Sequence, residues 1–101
     1  QEVDAALALQ PGLIEAVILR AGVRYKMGDV ERAKRELQTA VNAHPKDIEL
    51  RLALARLLLD EQDLTGAAAQ FKQVVKREPG HPDALYSLGL LAMEQQQLKQ
   101  A

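Results

Sequence analysis

The stretch DIELRLALARLLLDEQDLTGAAAQFKQVVKREPG, residues 47–80, decides the fold because it contains two apolar helical patterns separated by a short polar break. The first pattern predicts a helix from about Ile48 to Asp60, with Asp47 placed to cap it. After the break at residues 61–63, the second pattern predicts a helix from about Leu64 to Lys76. Its apolar residues recur at three- and four-residue spacing and form one stripe: Ala67, Phe71, Val74 and Val75.

This unit recurs along the chain with a period of 34 residues. Pro11, Pro45 and Pro79 share the period, and a proline ends each unit because it cannot continue a helix. Five further registers share it: Val30, Leu64 and Leu98; Ala33, Ala67 and Ala101; Ala21, Ala55 and Gly89; Ala6, Ala40 and Val74; Leu37 and Phe71. Six registers with one period exclude coincidence and predict an all-α chain of helical hairpins.

The period divides the chain into four segments. Residues 13–46 and 47–80 are predicted as complete hairpins, the first with its turn at Gly28-Asp29. Residues 1–12 are predicted as the end of a preceding second helix. Residues 81–101 are predicted as a first helix, from Pro82 to about Gln95, and the start of a second helix at Leu98.

Composition excludes several classes of function. The chain has no cysteine, which excludes disulfides, thiolate metal sites and a cysteine nucleophile. Its formal net charge is -1, so the chain lacks the excess of positive charge that is typical of nucleic-acid-binding proteins. The longest apolar run, residues 5–9, is far shorter than the ~20 residues that cross a bilayer, so no direct membrane insertion is expected.

The period and the residues at its key positions resemble the tetratricopeptide repeat over the whole chain. The middle unit carries the family's pattern in Leu54, Ala55, Leu58, Ala67, Phe71 and Pro79. The resemblance implies a right-handed α-solenoid whose first helices line a concave inner face. The chain departs from the pattern at Arg20 and Arg24, where stems along the groove wall or a rotated helix are expected. It departs again at Gln62 and Gln96, which replace the turn glycine and predict looser turns.

Transferring the family's geometry by position predicts the residues of the inner face. They are Glu15, Ile18, Gly22, Tyr25 and Lys26; Glu49, Leu52, Arg56, Leu59 and Asp60; and Asp83, Tyr86, Leu90, Met93 and Glu94. They include a continuous apolar track, and such tracks favour partner binding. For any one residue of the track, packing against the next repeat is as good an explanation. Tyr86 and Leu52 are the preferred ligand contacts.

The charges of this face predict the kind of partner. Its acidic excess suits an apolar or basic-amphipathic segment of a protein or peptide. The family's clamp for C-terminal carboxylates uses Lys, Asn and Arg, but the corresponding positions carry Ile18, Gly22 and Ala53. We therefore expect weak binding of acidic C-terminal peptides.

No arrangement in the sequence supports catalysis, a cofactor or a metal site. His44 and His81 each precede a proline without further ligands at suitable spacing, so both are expected to be solvated turn residues. Ser87, the only serine, has no base beside it. The chain is therefore predicted to be a non-enzymatic protein-binding scaffold.

Two alternatives to this function stay open. One is self-association through the open half units, and the other is a regulatory or substrate-recruiting part of a larger enzyme or envelope complex. The Ala-, Leu- and Gln-rich composition suggests a bacterial source and does not distinguish cytoplasm from cell envelope.

Overall fold

The structure is a computed structural model that describes residues 11–100, and within them it contains five helices and no strand. We number the helices in chain order: α1 Pro11–Lys26, α2 Val30–Ala43, α3 Ile48–Asp60, α4 Leu64–Arg77 and α5 Pro82–Gln100. The predicted all-α fold is confirmed. Most of the segment predicted to end a preceding repeat, residues 1–10, lies outside the described residues, and Pro11 and Gly12 belong to α1 instead.

The helices form two hairpins and a fifth helix in a continuous stack. α1 packs on α2 and α3 packs on α4, while α2–α3 and α4–α5 contacts join successive units and α1 also contacts α3. The stack measures 48 × 32 × 18 Å. Its smallest dimension is about two helices thick, since one helix with side chains is about 10 Å wide. This is the layered shape of a helical-repeat solenoid.

The hairpin interfaces are built from small residues beside large ones. Ala21, Ala33, Ala55 and Ala67 are all buried. They let paired helices approach closely, and the space beside them is filled by larger apolar groups. The largest fully buried side chains come from the middle unit: Phe71, Leu50, Leu54 and Val74. Residues 47–80 therefore hold the centre of the core.

Side-chain caps start three of the helices. The Asp47 carboxylate accepts a hydrogen bond from the Leu50 backbone N–H at 3.0 Å, which confirms the predicted cap of α3. Asp63 caps α4 in the same way. His81 occupies the position equivalent to Asp47, and its Nδ1 accepts from the Ala84 N–H at 3.2 Å. His81 is thus a half-buried turn residue, as its position before a proline predicts, and it also caps α5.

The turn at Gln62 is as tight as the turn at Gly28, contrary to the expectation of looseness. Both residues adopt positive φ, 65° at Gln62 and 93° at Gly28. In both turns, the residue that follows donates its backbone N–H to the carbonyl five residues earlier. The distances are 2.9 Å from Asp63 to Leu58 and 2.8 Å from Asp29 to Arg24. These bonds satisfy carbonyls at the helix end. They hold Gln62 in the left-handed conformation, which costs glutamine more free energy than it costs glycine.

The predicted turn after Gln95 is absent. Helix α5 runs without a break from Pro82 to Gln100, so the expectation of a second helix starting at Leu98 is wrong within the described residues. The reason is local, because Gln97 stands where the other two units have the aspartates that follow their turns. Residues 94–97 are good helix formers and contain neither a turn glycine nor a capping residue.

Arg20 and Arg24 face α2 and not the inner groove. Both contact the Glu36 carboxylate, at 3.5 Å from Arg20 Nε and 3.3 Å from Arg24 Nε. The middle unit has the buried residues Leu54 and Leu58 at the equivalent positions. Three charged side chains therefore join the helices of the first hairpin, at positions where the second hairpin has packed leucines. The expected placement of the arginine stems along the groove wall is wrong.

Candidate partner-binding groove

A groove lies between the first helices of the two hairpins, with the second helix of the first hairpin beneath it. It encloses about 270 Å³. α1 and α3 form its walls, and Leu37 of α2 lies at its floor. Its lining residues are Ile18, Ala21, Gly22, Tyr25, Lys26, Leu37, Ala53, Arg56, Leu57 and Asp60. Apolar side chains form most of the lining, and the charged side chains are Lys26, Arg56 and Asp60.

Small residues create the space in this groove. Ala21, Gly22 and Ala53 have at most a methyl side chain, and a Cβ built on Gly22 would meet no atom within 4 Å. In α3 and α5, the positions equivalent to Gly22 carry Arg56 and Leu90. The first unit therefore has open volume at a position that larger side chains occupy in the other two units. A partner side chain can enter there without displacing any group.

Tyr25 places a polar group at the edge of the apolar lining. Its hydroxyl donates a hydrogen bond to a Glu61 carboxylate oxygen at 3.3 Å. Partial burial of the ring raises the pKa of the Tyr25 hydroxyl above its ordinary value of 10.0, and the charges of Asp60 and Glu61 raise it further. The hydroxyl is therefore a neutral donor at physiological pH, directed toward an acidic edge.

An ion pair joins α3 to α5 on the same side of the stack. Arg56 lies 3.9 Å from Asp83, and both side chains are more than half exposed. A pair this long and this exposed contributes little to stability. Both charges are therefore available to a partner at small cost.

The structure separates the predicted inner-face residues into groups. Ile18, Gly22, Tyr25, Lys26, Arg56 and Asp60 meet around the groove. Glu15, Glu49, Asp83 and Glu94 are exposed, as are Tyr86, Leu90 and Met93 on α5. Leu59 is half-buried and packs against the core.

Leu52 is a core residue and cannot contact a ligand in this structure. Its exposed fraction is 3%, whereas Tyr86, at the equivalent position of α5, is 69% exposed. α3 is the central helix and is contacted by α1, α2 and α4, so its apolar side chains are covered from several sides. The choice of Leu52 as a ligand contact was wrong. The predicted continuous track is instead a groove and a separate exposed stripe on α5.

Three lining residues were not among the predicted inner-face residues. Leu37 and Leu57 belong to apolar helical stripes that indicate a core as readily as a groove. Ala53 is small where α1 has Leu19. This difference in side-chain size is the sequence signal for a groove. The signal can be interpreted only when it is known which helices face one another.

His44 is less exposed than predicted. Its Nε2 atom is buried and has no hydrogen-bond partner among the described residues, so the expected solvated side chain is wrong. Within residues 11–100, no group of three or more histidine or acidic side chains is placed to hold a metal ion. Among the described helices, none is both long and apolar enough to cross a membrane.

Comparison with known proteins agrees with the geometry. Two family models described as tetratricopeptide repeat match the chain, one over residues 1–57 and the other over residues 52–101. Cellulose synthase operon protein C of Pseudomonas fluorescens (strain SBW25) is 35% identical over 74 residues, which is 73% of this chain. The chain spans only 6% of the length of that relative. The matched models, the 34-residue period and the stacked hairpins together place this chain in the tetratricopeptide repeat family.

Proposed function

We propose that this chain binds a protein or peptide partner through the groove between α1 and α3. Tetratricopeptide repeats generally mediate protein–protein interaction and are generally non-catalytic scaffolds. The single observation that carries the proposal is the open, apolar volume beside Gly22. Burying one large aliphatic side chain in such a site stabilises a complex by about 1.5–3 kcal/mol. The groove thus supplies an anchor point for one apolar residue of the partner.

The charges of the wider inner face, beyond the groove lining of Lys26, Arg56 and Asp60, select the residues that flank this anchor. The proposed contact surface carries more carboxylates than cations: Glu15, Glu49, Asp60, Asp83 and Glu94 against Lys26 and Arg56. A partner with lysine or arginine beside its apolar residues meets favourable potentials, and an acidic C-terminal peptide meets unfavourable ones. We therefore propose an apolar or basic-amphipathic segment as the ligand.

The test is to fill the groove with a side chain of the protein itself. Gly22→Leu places a leucine in the open volume, while Gly12→Leu makes the same change on the same helix, where a Cβ also meets no atom within 4 Å. Removing a glycine from a helix interior also stabilises the helix, by roughly 0.5–1 kcal/mol. Loss of binding in Gly22→Leu therefore cannot be attributed to unfolding.

The probe is a labelled 14-residue amphipathic helix of leucine and lysine, compared with a counterpart in which glutamate replaces lysine. Anisotropy titrations should show tighter binding of the lysine peptide, a loss of at least about tenfold in Gly22→Leu, and no change in Gly12→Leu. Equal affinity for both peptides contradicts the charge preference. Unchanged binding in Gly22→Leu contradicts the groove as the binding site.

A second candidate comes from the relative in Pseudomonas fluorescens. The likeness to a cellulose synthase operon protein favours a role as the recruiting or regulatory part of a larger assembly. Capture with the full-length protein should enrich subunits of a polysaccharide synthase, and Gly22→Leu should reduce the yield.

Self-association is the remaining candidate. Light scattering over a dilution series tests it, and a mass independent of concentration contradicts it.

A further inference from the structure

The outer wall of the stack, formed by the exposed faces of α2 and α4, is strongly cationic. These helices contain six cations and two anions: Arg32, Lys34, Arg35, Lys72, Lys76 and Arg77, against Glu31 and Glu36. Glu36 is turned toward α1, where it pairs with Arg20 and Arg24. Two carboxylates remain beside the six cations, Glu31 and the Asp63 that caps α4. Among the described residues, the outer wall therefore has an excess of cations, opposite in sign to the charge of the inner face.

Most of these cations have no partner within the described part of the chain. Arg32 pairs with Asp29 at 3.6 Å and Lys34 with Glu31 at 3.7 Å. Residues 11–100 supply no ion pair for the other four: Arg35, Lys72, Lys76 and Arg77, all exposed. Lys76 and Arg77 lie in the last turn of α4, where the helix dipole favours cations. That effect does not reach Arg35 or Lys72.

A further guanidinium adds positive charge at the end of this wall. Arg51 of α3 donates from Nε to the Pro45 carbonyl at 2.8 Å and from a terminal nitrogen to Gln70 of α4 at 2.9 Å. These bonds hold it between the α2–α3 turn and α4. Burial lowers the pKa of Arg51, and the charge of Arg77 lowers it further. Like charges are therefore crowded here, where an incoming anion would relieve their repulsion.

A groove between α2 and α4 gives the wall a shape as well as a charge. It encloses about 470 Å³, with the buried Leu58 side chain at its base. The charged residues of its lining are the carboxylates of Glu31 and Asp63 and the cations of Lys34 and Arg35. Gln38 Nε2 donates to Asn42 and Gln70 Oε1 accepts from Arg51, so the other amide atom of each glutamine can pair with a peptide backbone. Arg35 lines the groove and has a guanidinium fork that can bind a carboxylate through two hydrogen bonds.

We propose that the outer wall is a second binding surface, which takes an acidic segment of a partner protein. The segment lies along the groove between α2 and α4. Its carboxylates contact Arg35 and the cations in the second half of α4, away from Glu31 and Asp63 at the beginning of the two helices. This surface is independent of the proposed inner groove and has the opposite charge preference. One repeat array can therefore hold a basic-amphipathic segment on one face and an acidic segment on the other.

The test measures binding of a labelled 12-residue peptide of glutamate and alanine. The double variant Arg35→Glu/Lys72→Glu reverses two charges on the outer wall, and Lys26→Glu/Arg56→Glu makes the same change in net charge on the inner face. We expect the affinity for the peptide to fall by roughly tenfold or more in the outer variant and by less than about twofold in the inner variant. Added salt should lower the affinity of the native chain for the peptide. Arg35→Gln/Lys72→Gln gives a smaller loss in the same direction if the charge reversal impairs folding.

Several results overturn the proposal. Equal losses of affinity in the outer and inner variants show that only net charge acts. A loss of affinity confined to the inner variant shows that the peptide binds the inner face. Absence of binding at about 1 mM peptide leaves no interaction to assign. Binding of the native chain to phosphatidylserine vesicles without peptide binding assigns the wall to lipid. Concentration-dependent self-association that the outer variant abolishes assigns it to a second copy.

Discussion

Replacing Gln62 and Gln96 by glycine should change stability in opposite directions, although the two residues are equivalent in the repeat. Gln62 lies in a turn at φ 65°, and Gln96 lies inside the continuous helix α5. An L-residue in the left-handed region costs roughly 1–2 kcal/mol, and glycine avoids that cost. The Gln62 side chain is exposed and makes no hydrogen bond within the described residues, so removing it costs little.

The expected magnitudes follow from these two environments. In Gln62→Gly the relief of roughly 1–2 kcal/mol is offset by roughly 0.5–1 kcal/mol for the greater freedom of glycine in the unfolded chain. The net gain is about 0.5–1 kcal/mol. In Gln96→Gly the replaced residue is helical, so a loss of roughly 0.5 kcal/mol follows, reduced if the end of α5 frays.

Urea unfolding followed by circular dichroism at 222 nm measures both changes. About 1 kcal/mol corresponds to roughly 4–8 °C in Tm for a domain near this size, so a thermal scan resolves the difference as well. Gly28→Ala is the control, because φ 93° is costly for alanine, and it should lower stability. A gain in stability for both glutamine variants would refute the continuous α5, and a loss for both would refute the strained turn at Gln62.

Three further predictions concern capping, charge and titration. Asp47→Ala should cost about 1 kcal/mol of unfolding free energy by urea titration, and Asp29→Ala distinctly less, because Asp29 makes no side-chain cap bond; equal costs would contradict the cap. Glu36→Ala should cost about 1–2 kcal/mol, since it leaves two arginines of α1, one of them more than half exposed, without their shared, half-buried carboxylate. A cost below about 0.5 kcal/mol would show that these contacts act as ordinary surface ion pairs. Tyr25 should titrate above pH 10 in absorbance at 295 nm, measured with the other tyrosine replaced by phenylalanine, and Glu61→Gln should lower its midpoint. Because the folded pKa is raised, the contribution of Tyr25 to stability is fully present below pH 10 and is lost as pH rises through the folded pKa; a midpoint at or below 10 would contradict this.

Much of the hairpin architecture could be predicted because it depends on local chemistry. The helix from Ile48 to Asp60 and its cap at Asp47 agree with the structure to the residue. Periodicity and capping act within one or two turns of a helix, so a single sequence contains them in full. The same local chemistry also explains the error at residues 96–98, where the repeat suggested a turn but the residues present favour helix.

The candidate site was only partly predictable. Ile18, Tyr25 and Arg56 were assigned to the inner face and do lie around the groove. The repeat register also equated Leu52 with Tyr86, yet one is buried and the other exposed. Exposure depends on which helices pack on either side, and the 34-residue period contains no information about that.

The sequence by itself determined the all-α fold, the 34-residue unit, the hairpin of residues 47–80 and the small residues at its interface, because these follow from side-chain type and spacing along a helix. Only the tertiary structure decided that α1 and α3 enclose an open volume beside Gly22 and that Arg20 and Arg24 turn to Glu36. It also decided that four cations of the outer wall form no ion pair within residues 11–100. The physical reason is that cavities and charge pairing depend on distances between residues far apart in the chain. Packing of the helices sets those distances, and residues with the same place in the repeat can meet different neighbours.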